Sequence, residues 1–148
     1  MRGFCRYGIA VLLTLGWVSC GPAHAEMVIL KAELSAPNET PPSQSKGTGS
    51  LTATYDTSSK VLSWKGNHSK LTGDATSAHF HGPAEAGRYA GVAIWISTKG
   101  MPLPSSFEGR ATLTDAQAAD MMAGRWYVNI HTTRYPGGEI RGQLERAK

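Results

Sequence analysis

Alternation of apolar and polar residues in short segments is the feature that most constrains the fold of this chain. In WYVNIHT, residues 126–132, every second residue is apolar. A period of two is typical of a strand with one buried face. Similar segments recur between turns rich in Gly, Pro, Asn and Ser, and they predict strands near Val28–Leu34, Gly49–Tyr55, Val61–Lys65, Ala75–His81, Val92–Ser97, Gly109–Leu113, Arg125–Thr133 and Glu139–Glu145.

One segment, LTDAQAADMMAG at residues 113–124, has the pattern of a helix instead. Thr114 and Gln117 have the spacing of a capping box, and Gly124 is a typical residue after a helix end. We predict a helix over Asp115–Ala123.

Antiparallel pairing explains the remaining pattern, because an open parallel sheet needs a helix between successive strands. The chain is therefore predicted to be all-β, an antiparallel β-sandwich or flattened barrel with one short α-helix, in a single domain over residues 26–148. Trp95 lies between Ile94 and Ile96. This apolar run predicts a central strand that is covered on both faces.

Residues 1–25 have the features of a secretory signal peptide. A basic start at Arg2 and Arg6 precedes an apolar run over residues 9–18, and Ala23-His24-Ala25 fits a signal-peptidase site. Export to the periplasm or the medium is therefore expected, with no transmembrane segment after cleavage. The alternative is lipidation at Cys20, as in bacterial lipoproteins. It is disfavoured because Trp17 occupies the position at which the lipoprotein signal sequence usually carries Leu.

Cleavage after Ala25 would remove both cysteines, so the exported domain would have no disulfide. It would also remove Arg2 and Arg6 from the 15 Lys and Arg, which leaves 13 against 11 Asp and Glu, a formal charge of +2. This balance, without a basic run, disfavours a nucleic-acid partner.

Three ordered segments resemble the CHRD domain family, named from chordin. They are GTGSLTATYD, SAHFHGPAEAGRYAGVAIWI and LTDAQAADMMAGRWYVNIHTTRYPGGEIRGQL. The resemblance covers roughly residues 28–144, and the chain is similar to the secreted microbial members of the family that consist of a single domain. It implies an extracytoplasmic domain with an immunoglobulin-like or otherwise barrel-like fold. The cysteine-rich growth-factor-binding modules of chordin have no counterpart here, so an inhibitor role does not carry over.

The alternation also predicts where the histidines point. In AHFHG, Ala78 and Phe80 take the core side, so His79 and His81 point to the opposite face. The turn RYPGG predicts a hairpin between the last two strands, in which His131 lies opposite Glu139 or Arg141.

If the AHFHG strand lies beside this hairpin, the imidazoles share one face. Two residues along a strand span about 6.6 Å, from which two imidazoles can converge on one ion. We predict a Cu or Zn site formed by His79, His81 and His131, with Glu139 as a fourth ligand or as an acceptor behind the ligands. The supporting polar face is predicted to contain Asn129, Arg141 and Gln143.

A cluster held only by hydrogen bonds is the metal-free alternative for the same residues. His68, in the segment GNHSK, is predicted to be a solvated turn residue.

Three functions stay open at this point. The first is an exported binding module whose partner is a metal ion or another envelope or extracellular component. The second is a mononuclear copper redox enzyme, because a strand-borne His-x-His also occurs in copper/zinc superoxide dismutases; their binuclear site needs more histidines than the four at residues 26–148. The third is a structural domain of the cell envelope. No G-x-S-x-G motif or cofactor-binding motif is present, so the sequence favours binding over catalysis.

Overall fold

The computed structural model describes residues 25–98 and 100–148. All of the predicted signal peptide except Ala25, including the alternative lipidation site Cys20, lies outside the described residues. Neither described range contains a helix that is long and apolar enough to cross a membrane.

The described chain forms strands and one α-helix close to the predicted positions. The strands are β1 (Met27–Ser35), β2 (Thr48–Asp56), β3 (Val61–Ser69), β4 (Ala75–His81), β5 (Val92–Trp95), β6 (Ser106–Thr112), β7 (Trp126–Thr132) and β8 (Ile140–Arg146); α1 is Asp115–Met122, and a short 3-10 helix spans Ala36–Asn38. The largest difference is in β3, which continues to Ser69. His68 is therefore a strand residue, and its prediction as a solvated turn residue is wrong.

All strand pairs are antiparallel in one sheet of order β5-β4-β7-β8-β1-β2-β3-β6. Strands β3 and β4 are far apart in this order, yet Trp64 of β3 packs edge-on against Phe80 of β4 with ring centroids 5.2 Å apart. The sheet must therefore curl back on itself, as the twist of adjacent strands allows. The result is a nearly closed barrel, which confirms the predicted all-β class.

The core fills the inside of this barrel. In β1 every second residue is buried. The inward-pointing residues Phe80 of β4 and Val128 and Ile130 of β7 belong to the same core. Each of these three side chains is fully buried. The inward faces predicted from the alternation are therefore confirmed, and burial of this apolar surface is the main favourable term in folding.

Strand β5 departs from its prediction. It has four residues, pairs only with β4, and forms one end of the sheet. Trp95 is consequently 44% exposed, so the predicted central strand covered on both faces is wrong. The apolar run Ile94–Ile96 arises instead because Ile94 and Ile96 pack against the core from this edge.

The structure confirms the predicted helix and its capping box. The Thr114 side chain accepts a hydrogen bond from the Gln117 backbone N–H at 3.2 Å, and the Gln117 side chain accepts one from the Thr114 N–H at 3.0 Å. This reciprocal pair satisfies two N–H groups that have no partner inside the helix.

The core assignment predicts different effects for two chemically identical substitutions. Ile130→Val removes a methylene from a fully buried side chain, whereas Ile29→Val changes a side chain that is 49% exposed. Both replacements are β-branched, so strand propensity is matched. We expect Ile130→Val to lower the free energy of unfolding by about 1 kcal/mol and Ile29→Val to change it by less than about 0.5 kcal/mol, measured by urea unfolding. Equal losses would contradict the inward and outward assignment.

Candidate metal centre

The three predicted histidines come together because β4 pairs with β7. In this antiparallel pair Ser77 lies opposite His131 and His79 lies opposite Asn129. His79 and His131 are therefore diagonal neighbours on the face of the sheet that points away from the core. The adjacency of AHFHG to the hairpin is confirmed.

Ring contacts define the cluster. The centroid of His79 lies 5.4 Å from that of His81 and 5.0 Å from that of His131. Nδ1 of His79 is 3.1 Å from Nε2 of His131. One nitrogen from each ring lies within 4.8 Å of the other two, so the three side chains can approach a common ion.

Two backbone carbonyls fix the protonation of these rings. Nδ1 of His81 lies 3.0 Å from the Ala90 oxygen, and Nδ1 of His131 lies 2.9 Å from the Pro136 oxygen. A carbonyl only accepts, so both Nδ1 atoms carry hydrogen, and both Nε2 atoms of the neutral rings carry a lone pair.

The same logic fixes His79. Because Nε2 of His131 is an acceptor, Nδ1 of His79 must donate to it, which leaves a lone pair on Nε2 of His79. Nε2 of His79 and Nε2 of His81 are buried and have no hydrogen-bond partner. The cluster thus contains two buried lone pairs that no described group satisfies.

The surroundings keep the imidazoles neutral. His79 is 6% exposed, and burial lowers its pKa from 6.5 to about 4, with a smaller effect from His131 and His81. Burial also lowers the pKa of His81 and of His131. Neutral imidazole is the form that binds metal, so no proton has to leave before coordination at neutral pH.

A stack of planar groups supports the cluster from one side. The ring of His81 lies parallel to that of Tyr127, with centroids 4.8 Å apart and an angle of 4°. The guanidinium carbon of Arg141 lies 3.4 Å from the same Tyr127 centroid. Strand β7 lies between β4 and β8, so His81 and Arg141 cover opposite faces of Tyr127. This arrangement restricts rotation of the His81 ring.

The loop of residues 82–91 is attached to the same stack. Arg141 donates to the Arg88 carbonyl at 2.8 Å, and the Ala90 N–H donates to the Tyr127 hydroxyl at 3.3 Å. Gln143 donates to the Ala84 carbonyl at 3.0 Å. The Ala90 carbonyl of this loop is also the partner of the His81 ring. Arg141 and Gln143, two residues of the predicted polar face, therefore support the site through the loop.

Glu139 is not brought to the histidines. Its carboxylate accepts hydrogen bonds from Ser45 Oγ at 2.5 Å, from Thr72 N at 2.7 Å and from Thr132 Oγ1 at 2.6 Å. The prediction that it lies beside the histidines fails because strand alternation starts only at Ile140. The preceding Gly138 has φ +130°, a conformation that breaks the pleat.

A buried acid that does contact this face is Glu39, which the sequence did not indicate. It follows the short 3-10 helix, is 5% exposed, and accepts a hydrogen bond from the amide of Asn129. Burial raises its pKa from 4.5 to about 7, although the Thr40 N–H and the charge of Arg141 act in the opposite direction. No periodic pattern links this loop residue to a strand some 90 residues away, so only the fold reveals the contact.

Glu39→Gln should therefore change how stability depends on pH. The folded-state pKa lies above the ordinary value, so the carboxyl contributes stability that is full below pH 4.5 and is lost as pH rises to about 7. The loss is on the order of 3 kcal/mol at most. Gln keeps an oxygen for Asn129 but does not ionise. In urea unfolding, the free energy of unfolding should fall more, or rise less, between about pH 5 and about pH 8 in the wild type than in the variant.

Glu145→Gln, at an exposed residue of β8, is the matched control and should behave as the wild type. The histidines, whose pKa values are lowered, give the opposite trend, but they do so equally in all three proteins. A Glu39→Gln protein with the wild-type pH dependence would contradict the assignment.

Comparison with known proteins identifies the domain. The family model of the CHRD domain matches residues 30–144, which include the core strands and all three histidines. No curated protein and no solved structure matches the chain. The chain belongs to the CHRD domain family.

Proposed function

We propose that this chain is an exported module that binds one Cu(II) or Zn(II) ion through His79, His81 and His131. The observation that carries the proposal is that His79 and His81, two members of one three-histidine cluster, each have a buried Nε2 lone pair without a partner. Leaving a buried acceptor without a partner costs about 1–3 kcal/mol. Coordination to a cation would use these lone pairs, and His131 would join with its own Nε2 after giving up the hydrogen bond that this atom accepts from His79.

The donor set indicates the kind of metal. Three neutral imidazoles suit Zn(II) and Cu(II), whereas Mg²⁺ and Ca²⁺ require oxygen ligands. The Ala90 and Pro136 carbonyls accept the Nδ1–H groups of His81 and His131, and this second hydrogen bond is the usual support of a metal-binding histidine.

The metal-free alternative is a hydrogen-bond network completed by water. One water molecule that donated to both Nε2 atoms would satisfy them. In that case the histidines would stabilise the pairing of β4 with β7 and bind no ion. The two alternatives predict different results for the same set of variants.

Metal titration of residues 26–148 separates these alternatives. We expect wild type to bind one Cu(II) or Zn(II) per chain by calorimetry and to gain melting temperature in the presence of the ion. His81→Ala and His131→Ala should each weaken binding by at least about 10-fold and remove the gain. The edge contact of Trp95 with His79, with centroids 4.2 Å apart, provides a second measurement, because Cu(II) should quench its fluorescence.

His68→Ala is the matched control, since this histidine lies on β3 outside the cluster. It should bind the metal as wild type does. Equal weak binding by wild type and all three variants would overturn the proposal. A lower melting temperature of His131→Ala, without any binding to lose, would indicate the hydrogen-bond network.

Export is supported by the basic start, apolar run and Ala-His-Ala site of residues 1–25. An exported histidine site would have access to metal ions outside the cytoplasm. Mass spectrometry of protein from the periplasm or medium of an expressing bacterium should give an N-terminus at Glu26. An uncleaved Met1 start would contradict export, and a lipid-modified Cys20 that disappears in Cys20→Ser would contradict the cleavage site.

A further inference from the structure

The fourth coordination position is the part of the site that the protein leaves open. Among the described residues, the metal-ligand cluster contains three histidines and no carboxylate. Zn(II) sites with three protein ligands usually complete their coordination with water or substrate. An ion held here would therefore need one ligand from outside the chain.

Neither buried acid can move into that position cheaply. The carboxylate of Glu139 already has hydrogen bonds from Ser45, Thr72 and Thr132. Glu39 is held by Asn129 on the neighbouring part of the face. Using either acid as a ligand would leave buried donors without an acceptor, which is costly.

The charge around the site favours an anion over a neutral ligand. Three neutral imidazoles leave the full charge of a divalent ion uncompensated. Arg141 is 2% exposed and adds a fixed positive charge on the far side of Tyr127. The charge of Arg141 acts on Glu39, but this carboxyl does not ionise readily, because burial raises its pKa to about 7.

Burial limits the size of the ligand. His79 and His81 are 6% and 9% exposed, and the loop of residues 82–91 is hydrogen-bonded over His81. His131 is half-buried and gives the least covered approach. A ligand of two or three atoms could enter there, whereas a ring-sized one would collide with the packed aromatic groups around the histidines.

We propose that the metal ion of this domain takes a small monovalent anion, of the size of hydroxide or azide, as its fourth ligand. This inference rests on the proposed metal site. It gives the domain a selectivity that the histidines alone would not provide: small anions bind and large ones do not.

The test uses the Cu(II)-loaded protein, residues 26–148, after one-to-one loading has been established. Azide should produce a saturable azide-to-copper charge-transfer band and a shift of the copper EPR spectrum. Benzoate at the same concentration should leave both spectra unchanged. The His68→Ala protein, loaded in the same way, should respond as wild type does.

The outcomes separate the two proposals. One-to-one copper binding without any azide effect would overturn the fourth-ligand inference and leave the metal site intact. Equal responses to azide and benzoate would show an open site and would overturn the size limit. Failure of wild type to bind copper would remove the metal site and the inference together.

Discussion

Pairing of β4 with β7 is the constraint on which both the core and the histidine cluster depend. The register places Ala78 opposite Ile130 and Phe80 opposite Val128 on the inside, so their neighbours His79 and Asn129 must point outward. A slip of one residue in either strand would turn the histidines of that strand into the core and expose its apolar residues. Hydrophobic burial in the barrel therefore fixes the register that brings the imidazoles together.

The outer face of these strands behaves as a second, polar interior. Arg141, Asn129 and Tyr127 are each no more than 3% exposed, although they point away from the barrel core. Two loops cover them. The Glu39 side chain of residues 36–47 accepts a hydrogen bond from Asn129, and backbone groups of residues 82–91 bond to His81, Tyr127 and Arg141. The loops thereby turn a sheet surface into a site with restricted water access, where electrostatic interactions are stronger than in solvent.

Local patterns predicted what depends on neighbouring residues. Alternation was sufficient for the strands and for the outward direction of His79, His81 and His131, and the capping signals were sufficient for α1. The errors occurred where longer-range structure decides. Gly138 ends the alternation before Glu139, the position of β5 at the sheet end exposes Trp95, and β3 continues through His68 because β2 and β6 flank it.

Glu39 is a second example of a feature that local sequence patterns do not predict. Its contact with Asn129 joins two segments whose sequences have no common period. A covering loop must supply hydrogen-bond partners for the polar groups on the sheet surface. That surface exists only after the sheet has formed, so the loop sequence alone does not reveal the contact. The CHRD match assigns the chain to a family, but it includes no statement about which loop residue reaches the face.

The polar interior also restricts which cation could be accepted. Burial raises the pKa of Glu39 even though Arg141 is near, and burial lowers the pKa of all three histidines. Desolvation therefore dominates local charge attraction on this face, and an additional charge is costly here. A divalent ion can offset that cost only by forming strong direct bonds to the three imidazole nitrogens. Cu(II) and Zn(II) form such bonds, whereas Mg²⁺ and Ca²⁺ would lose oxygen ligands without replacement. The burial that keeps the histidines neutral would thus also act as the filter for the metal.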